Sequence, residues 1–388
     1  MKKIDLHYLK TLTLFVCAWS LFCLPRAGRA DNLTTTTSQN AGSTWNAAIW
    51  QTNGTGTKVG PPVAGNTYEA VSNGIGFGNG TANTRVRTPT SGAVFPGDSL
   101  TLDSQAELRL KNNNYTNTFP GANGHYGLVL NGGILELGNA GNFAITGTIN
   151  VASRSYIIFN ASGGAAASES LDIQGVLSGS GALVLFEDAA DIPSPISGNA
   201  NTFSGQWVIK SAWLLGVGAN SLGTNSITVD PNWVVPMPPF DSSLIDVAGP
   251  AILQVNYPIN SAGTLILTNG GQFINYLQGC CFAAVIVEGT ALSAGTHTYA
   301  ALSSQFPTNF PAGGSGSITV RPYNTAWPPP VMLQAQFLGG TNLLLSWSQG
   351  FLLQATNVTG PWTTNLTATP PFTVIPTAQR MFYRVQVE

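Results

Sequence analysis

Leu128-Val129-Leu130-Asn131-Gly132-Gly133-Ile134-Leu135-Glu136-Leu137 is the stretch that decides how the rest of the chain reads. Side chains alternate across an extended strand, so apolar residues two positions apart share one face. The run 127–137 therefore reads as half-buried β structure. Comparable runs lie at 99–111, 143–152, 156–160, 170–177, 182–186, 207–215, 226–229, 251–255, 264–267, 272–276, 283–287 and 317–320. Between them stand Asn-Gly, Gly-Gly, Gly-Asn and Ser-Gly pairs, which reach positive φ at little steric cost. Run and turn together occupy about twenty to twenty-five residues, which suits one turn of a parallel β-helix or similar solenoid. A β-sandwich also has regularly spaced strands and is the main alternative.

Composition favours the solenoid. Charged residues make up 8% of the 388, against about 25% in ordinary soluble domains, and there are 44 glycines. Disorder is the competing account of a Gly-rich polar chain. Apolar residues reach 43%, however, and fall in short alternating runs that can bury a core.

Residues 1–30 have the form of a signal peptide, with Lys2, Lys3 and Lys10 beside an apolar stretch at 12–24 and small residues Gly28 and Ala30 at its end. Cleavage is expected after Ala30. The apolar run is shorter than the roughly 20 residues that span a bilayer, and no later stretch is long enough. Cys17 and Cys23 raise a lipoprotein reading, which the bulky Phe22 before Cys23 opposes. Removal of 1–30 takes away five of the 15 basic residues and one of the 17 acids, leaving 10 and 16. With no basic patch to displace counterions from phosphates, nucleic acid is not an expected partner.

The expected organisation is a cap and first coil at 31–94, containing Trp45, Trp50 and Tyr68, then solenoid repeats at 95–321. Trp327 and the three prolines after it make 322–330 a stiff spacer. Runs at 334–337, 343–347, 351–355, 372–374 and 382–387 make 331–388 a small β-domain.

A site is hard to find in this sequence. Trp45 and Trp50 are candidates for sugar stacking, although capping of the core accounts for them better. Glu187, Asp188 and Asp191 form the one local acidic cluster; a solvated loop is the favoured reading and a weak Ca²⁺ site the functional one. His125 and His297 both sit in turn-like contexts without a second ligand at useful spacing. Cys280 and Cys281 are adjacent, which disfavours a bond between them; they read as small hydrophobes, one facing in and one out, in preference to a redox or metal switch. The glycines of 74–80 lack the Lys-Ser or Lys-Thr of a phosphate loop. No catalytic residue and no cofactor is expected.

Gly175-Val176-Leu177-Ser178-Gly179-Ser180-Gly181-Ala182-Leu183-Val184-Leu185, then Gly198-Asn199-Ala200-Asn201-Thr202-Phe203-Ser204-Gly205, then 213–223 resemble the autotransporter-associated β-strand repeat. The likeness is good over 170–230 and looser from about 100 to 320. It implies a right-handed parallel β-helix on the outer surface of Gram-negative bacteria, with no shared enzymatic activity. The C-terminal piece 340–354, with 360–362 and 380–384, resembles the small β-domain that ends many such secreted proteins. A membrane barrel of eight or more strands does not fit into 331–388.

The expectation is thus an all-β protein, a right-handed β-helix followed by a small β-domain. Its expected function is structural or adhesive at the cell surface, with a surface polysaccharide or another surface protein as partner. The alternative is a carbohydrate-binding or polysaccharide-degrading protein, to which Trp207 and Trp213 also speak.

Overall fold

The computed structural model describes residues 32–35, 44–52, 57, 59–71, 85–104, 106–111, 114–138, 141–159, 169–187, 192–234, 249–276, 278–322, 333–338, 342–347, 351–365, 367–375 and 380–386. The expected signal peptide lies outside them, as does the spacer beyond Pro322. The chain divides into two compact units, Met1–Pro322 and Tyr323–Glu388. Among the described residues every element but one is a strand.

In the first unit the chain returns repeatedly to the same parallel ladders. One joins Asn32–Thr35, Thr67–Ala70, Ser99–Leu102, Leu128–Asn131, the second half of Gly141–Ser153 and Val176–Gly179. A second runs through Arg85–Arg87, Glu107–Leu110, Ile134–Leu137, Ser155–Phe159, Leu183–Glu187 and the start of Trp207–Gly216. It continues through Ile227–Val229 and Thr264–Leu267 to Ala284–Val287. The third passes from Thr116–Phe119 through the first half of Gly141–Ser153 to Glu169–Ile173. It resumes with Ser194–Ile196, the end of Trp207–Gly216, Ala251–Val255 and Gln272–Asn275. Gly141–Ser153 and Trp207–Gly216 each belong to two ladders, so each carries the chain round a corner as one strand, the second with a register shift at Lys210.

Alternation explains which side chains face inward. Leu100, Leu128 and Leu177 from the first ladder meet Leu108, Leu135 and Leu185 from the second and Phe119, Ile145 and Leu253 from the third in one continuous core. Each such side chain contributes roughly 1.5–3 kcal/mol by leaving water. At the N-terminal end of this core Trp45, Trp50, Tyr68, Phe95 and Phe119 pack edge to face, with Trp50 and Tyr68 centroids 5.0 Å apart and Trp45 and Phe95 centroids 5.5 Å apart.

Several expected runs are divided by the corners. The run 127–137 breaks at Gly132, whose φ is 85°, into Leu128–Asn131 and Ile134–Leu137 on different ladders. The runs 99–111 and 170–177 split in the same way, into Ser99–Leu102 and Glu107–Leu110, and into Glu169–Ile173 and Val176–Gly179. Half-burial also fails on the second ladder, where Glu107–Leu110, Ile134–Leu137 and Ser155–Phe159 are buried on both faces. The helix Tyr299–Gln305, capped by Thr298, and the strand Gly295–Thr298, which holds His297, were not expected. His297 is thus a strand residue, its Nε2 2.8 Å from Ser293 O.

Two features of the repeat-like stretch set the spacing between passes. Gly147, Gly175 and Gly198 form a column: a Cβ on Gly175 would collide with Gly147 O, and one on Gly198 with Gly175 O. Only glycine lets successive corners stack this closely. Asn201, buried, adds side-chain bonds beside the backbone pairing of Thr202 N–H with Leu177 O. Its Oδ1 accepts from the Leu177 N–H at 2.7 Å, and its Nδ2 donates to Gly198 O at 3.1 Å and Ser221 O at 2.6 Å. Phe203 fills the interior beside it, 5.1 Å from the Trp207 ring.

The second unit is different in kind. Gln334–Phe337, Leu343–Ser346 and Phe372–Val374 form one antiparallel sheet, and Thr363–Thr364, Phe351–Ala355 and Phe382–Gln386 another. Leu345, Trp347, Leu352 and Val374 make their common core. The Arg384 guanidinium lies 4.4 Å over the Trp362 ring.

Asn201→Leu keeps the branched outline of the side chain and removes three hydrogen bonds, leaving buried backbone groups unpaired. The expected loss is about 3 kcal/mol, read by urea denaturation. A loss below about 1 kcal/mol would show that water or backbone takes over its role.

Candidate functional site

The second ladder brings together what local sequence keeps apart. In Arg85-Val86-Arg87, Glu107-Leu108-Arg109-Leu110-Lys111 and Ile134-Leu135-Glu136-Leu137 charged residues alternate with apolar ones. Val86, Leu108, Leu110, Leu135 and Leu137 enter the main core. The charged residues occupy the opposite face, and parallel register sets Arg85 against Glu107 and Arg109 against Glu136.

Arg85 Nε lies 2.6 Å from Glu107 Oε1, Arg109 Nε 3.3 Å from Glu136 Oε2, and Arg85 also reaches Glu136 at 3.6 Å. Both glutamates are fully buried, while Arg85 and Arg109 side chains are 14% and 8% exposed. Burial and the adjoining Glu136 carboxylate push the Glu107 carboxyl well above the usual range, against the opposing pull of Arg85. Burial and the Arg109 and Arg85 charges lower Arg87, and burial with Arg109 and Arg87 lowers Lys111. Lys111 Nζ donates to Gly138 O at 2.9 Å.

The same face continues as a second apolar cluster of Ile134, Tyr156, Ile158, Val184, Phe186 and Val208, with Trp233 against it. Tyr156 and Phe186 rings stack at 6.1 Å, Arg154 lies 6.0 Å over Trp233, and Lys210 Nζ donates to Trp233 O at 2.9 Å.

Carboxylates, arginines and a lysine are thus grouped from three separate strands, so that no single stretch of sequence contains the cluster. Its chemistry is nevertheless constrained by burial. A pair of catalytic carboxyls must touch the sugar on either side of the scissile bond. Glu107 and Glu136, with no exposed surface, instead face the arginines of neighbouring strands.

The expected site residues fall elsewhere. Trp45 and Trp50 are fully buried, which corrects their reading as a sugar-stacking surface: neither ring has a free face. Trp50 Nε1 donates to Trp45 O at 2.9 Å. Trp207 is likewise buried, its Nε1 bound to Leu222 O at 2.9 Å, whereas Trp213 is partly exposed and bonds Gln254 Oε1 at 3.1 Å. Glu187 ends the strand Leu183–Glu187, and its side chain lies outside the described residues, as do Asp188, Asp191 and the glycines of 74–80. Among the described residues no group of three or more His, Cys, Asp or Glu is placed to hold a metal ion. His125 is an exposed turn residue whose N–H donates to Ala122 O at 2.8 Å. Cys280 is buried, its thiol pushed up to about 11 by burial, and Cys281 is partly exposed.

A surface groove of about 410 Å³ is lined by Ser204, Gly205, Gln206, Ser226, Thr264, Ile266 and Ile286. Its hydroxyls have backbone partners, Ser204 Oγ donating to Gly179 O and Ser226 Oγ accepting from Thr264 N–H. With no titratable side chain among these residues, the groove supplies no acid or base. Among the described residues no helix is long and apolar enough to cross a membrane.

Two measurements test these assignments. Glu107 has a higher pKa folded than unfolded, so its stabilising contribution is complete below the unfolded value and is lost as pH rises through the folded one. Glu107→Gln removes that dependence, and its melting temperature is expected to fall less than that of the unsubstituted chain as pH is raised above the ordinary glutamate range. Parallel curves would contradict the assignment. Trp45→Ala is expected to cost about 3–5 kcal/mol in urea denaturation, the penalty of a core cavity.

No family model, no curated protein and no solved structure matches the chain.

Proposed function

We propose that the chain is a secreted or cell-surface structural or adhesive protein without catalytic activity, and that its first unit is a right-handed parallel β-helix. The observation that carries this reading is the burial of the acids: the two glutamates in the concentration of charged residues on the second ladder have no exposed surface and face arginines of neighbouring strands. Support for the winding comes from three parallel ladders revisited in turn, from glycine columns at the corners, and from side-chain bonds that join passes 22 to 28 residues apart. The resemblance of 170–230 to autotransporter-associated repeats is consistent with such a scaffold, and Phe203 and Asn201 perform there the packing and bonding that a repeat needs. Export through residues 1–30 and exposure at the outer surface of a Gram-negative cell belong to the same proposal. Partners are then a surface polysaccharide or another surface protein.

The test combines location with chemistry. Antibody labelling and protease shaving of intact cells are expected to reach the protein. Incubation of the purified chain with plant and algal polysaccharides is expected to release no reducing ends. Turnover abolished by Glu136→Gln in a chain that still folds would overturn the reading.

A further inference from the structure

At the C-terminal end of the first unit the second and third ladders end, beside a short separate parallel pair, Gly279–Phe282 and Ser317–Val320. Each last strand would, by itself, present a row of unpaired N–H and C=O groups on which another chain can add. The last parallel strand of the second ladder, Ala284–Val287, is instead covered by Thr290–Ala291 running antiparallel, and Leu292 N–H donates to Val285 O at 2.9 Å. Gln272–Asn275 receives no further strand; its Phe273 N–H donates to Asn309 O at 2.8 Å and its Asn275 O accepts from Ser315 N–H at 2.7 Å. Ser317–Val320, parallel to Gly279–Phe282, has its far side occupied by Gly295–Thr298, antiparallel. All three covers come from one continuous segment, 290–315.

That segment also closes the core. Tyr299, Leu302 and Phe310 are buried beneath it, with the Tyr299 and Phe310 rings edge to face at 5.7 Å. Tyr299 Oη donates to Phe273 O and lies 2.9 Å from Pro311 O. Its outer side is polar and short-stranded: Thr290–Ala291 has two residues, and Gly295–Thr298 starts at a glycine with φ of 126° and runs straight into the helix. Neither makes a good template for a further strand.

One carboxylate ties the cover to the ladders beneath. Glu288 accepts from Gly270 N–H at 2.9 Å and Asn269 N–H at 3.1 Å, in the turn before Gln272–Asn275, and from Asn309 Nδ2 at 2.7 Å in the cover itself. Asn309 Nδ2 also donates to Gly271 O at 3.0 Å.

We propose that 290–315 is a dedicated stop that prevents this end from pairing with a second copy of the chain, and that Glu288 and Asn309 are the latch holding it down. The partner excluded is a second copy, because the unpaired N–H and C=O groups of an uncovered strand edge are a template on which another chain of the same kind can add. This inference stands on the pairings alone and is independent of the adhesive function proposed above.

Glu288→Ala and Asn309→Ala, made separately in the full chain, test it. In both, amide exchange at Phe273 and Ser315 is expected to rise at least about tenfold, while Ile157 and Leu185 in the middle of the second ladder stay protected. Sedimentation velocity is expected to show species that grow with concentration in the variants and a single species in the unsubstituted chain. Asp103→Ala, at a distant turn, serves as a control and is expected to remain a single species. Raised exchange at Phe273 and Ser315 without any self-association would overturn the role as a stop. Unchanged exchange at those amides in both variants would overturn the latch.

Discussion

Hydrogen bonding between one pass of the chain and the next is the constraint on which the first unit depends. A parallel ladder satisfies each strand's backbone from both sides, so every pass needs a neighbour in register above and below it. Register in turn fixes which side chains face inward, because a slip of one residue reverses every face. The glycine column at Gly147, Gly175 and Gly198 follows from this: once the passes are held at ladder spacing, carbonyls at the corners come too close for any side chain. Length varies where the ladders do not dictate it, as between Ile227–Val229 and Thr264–Leu267, which pair directly although a long excursion separates them.

The same constraint explains where charge is found. An arginine beside a glutamate on an adjacent strand costs several kcal/mol per ion in desolvation if buried, and returns it only with good geometry. The second ladder supplies that geometry by register, placing Arg85 on Glu107 and Arg109 on Glu136. Removing one partner leaves the other charge buried and uncompensated, at a cost of about 3–5 kcal/mol. In a chain with 8% charged residues, so dense a group in the interior is a feature of the architecture more than of its solubility.

Strand positions were legible from alternation wherever a run lay on one ladder: 251–255, 264–267 and 317–320 emerge with the expected bounds. Corners were harder, because Gly132-Gly133 reads equally as a turn between strands or as glycine within one. Strands poor in apolar residues, such as Thr116–Phe119 and Gly295–Thr298, take their conformation from a neighbouring strand and leave little local trace. The charged cluster was invisible to a search along the sequence, since its members become neighbours only through pairing. Its signal was present as charge alternating with leucine in Glu107-Leu108-Arg109-Leu110, a pattern that marks an outward face and gives no sign that the face is covered. Trp45 and Trp50 illustrate the reverse: tryptophan pairs are ambiguous between binding surface and core, and burial alone decides.

Asn201 bears on how the first unit comes apart. Parallel ladders hold each strand through its neighbours on either side, so strands at an end can open before those in the middle. The Asn201 amide opposes such opening, since it is satisfied only when the segments holding Leu177, Gly198 and Ser221 are all in place. A partially unfolded state that releases any one of them strands a polar group inside the core. Opening the stretch from Leu177 to Ser221 at any of these points therefore carries the added cost of an unpaired buried amide, about 1–3 kcal/mol.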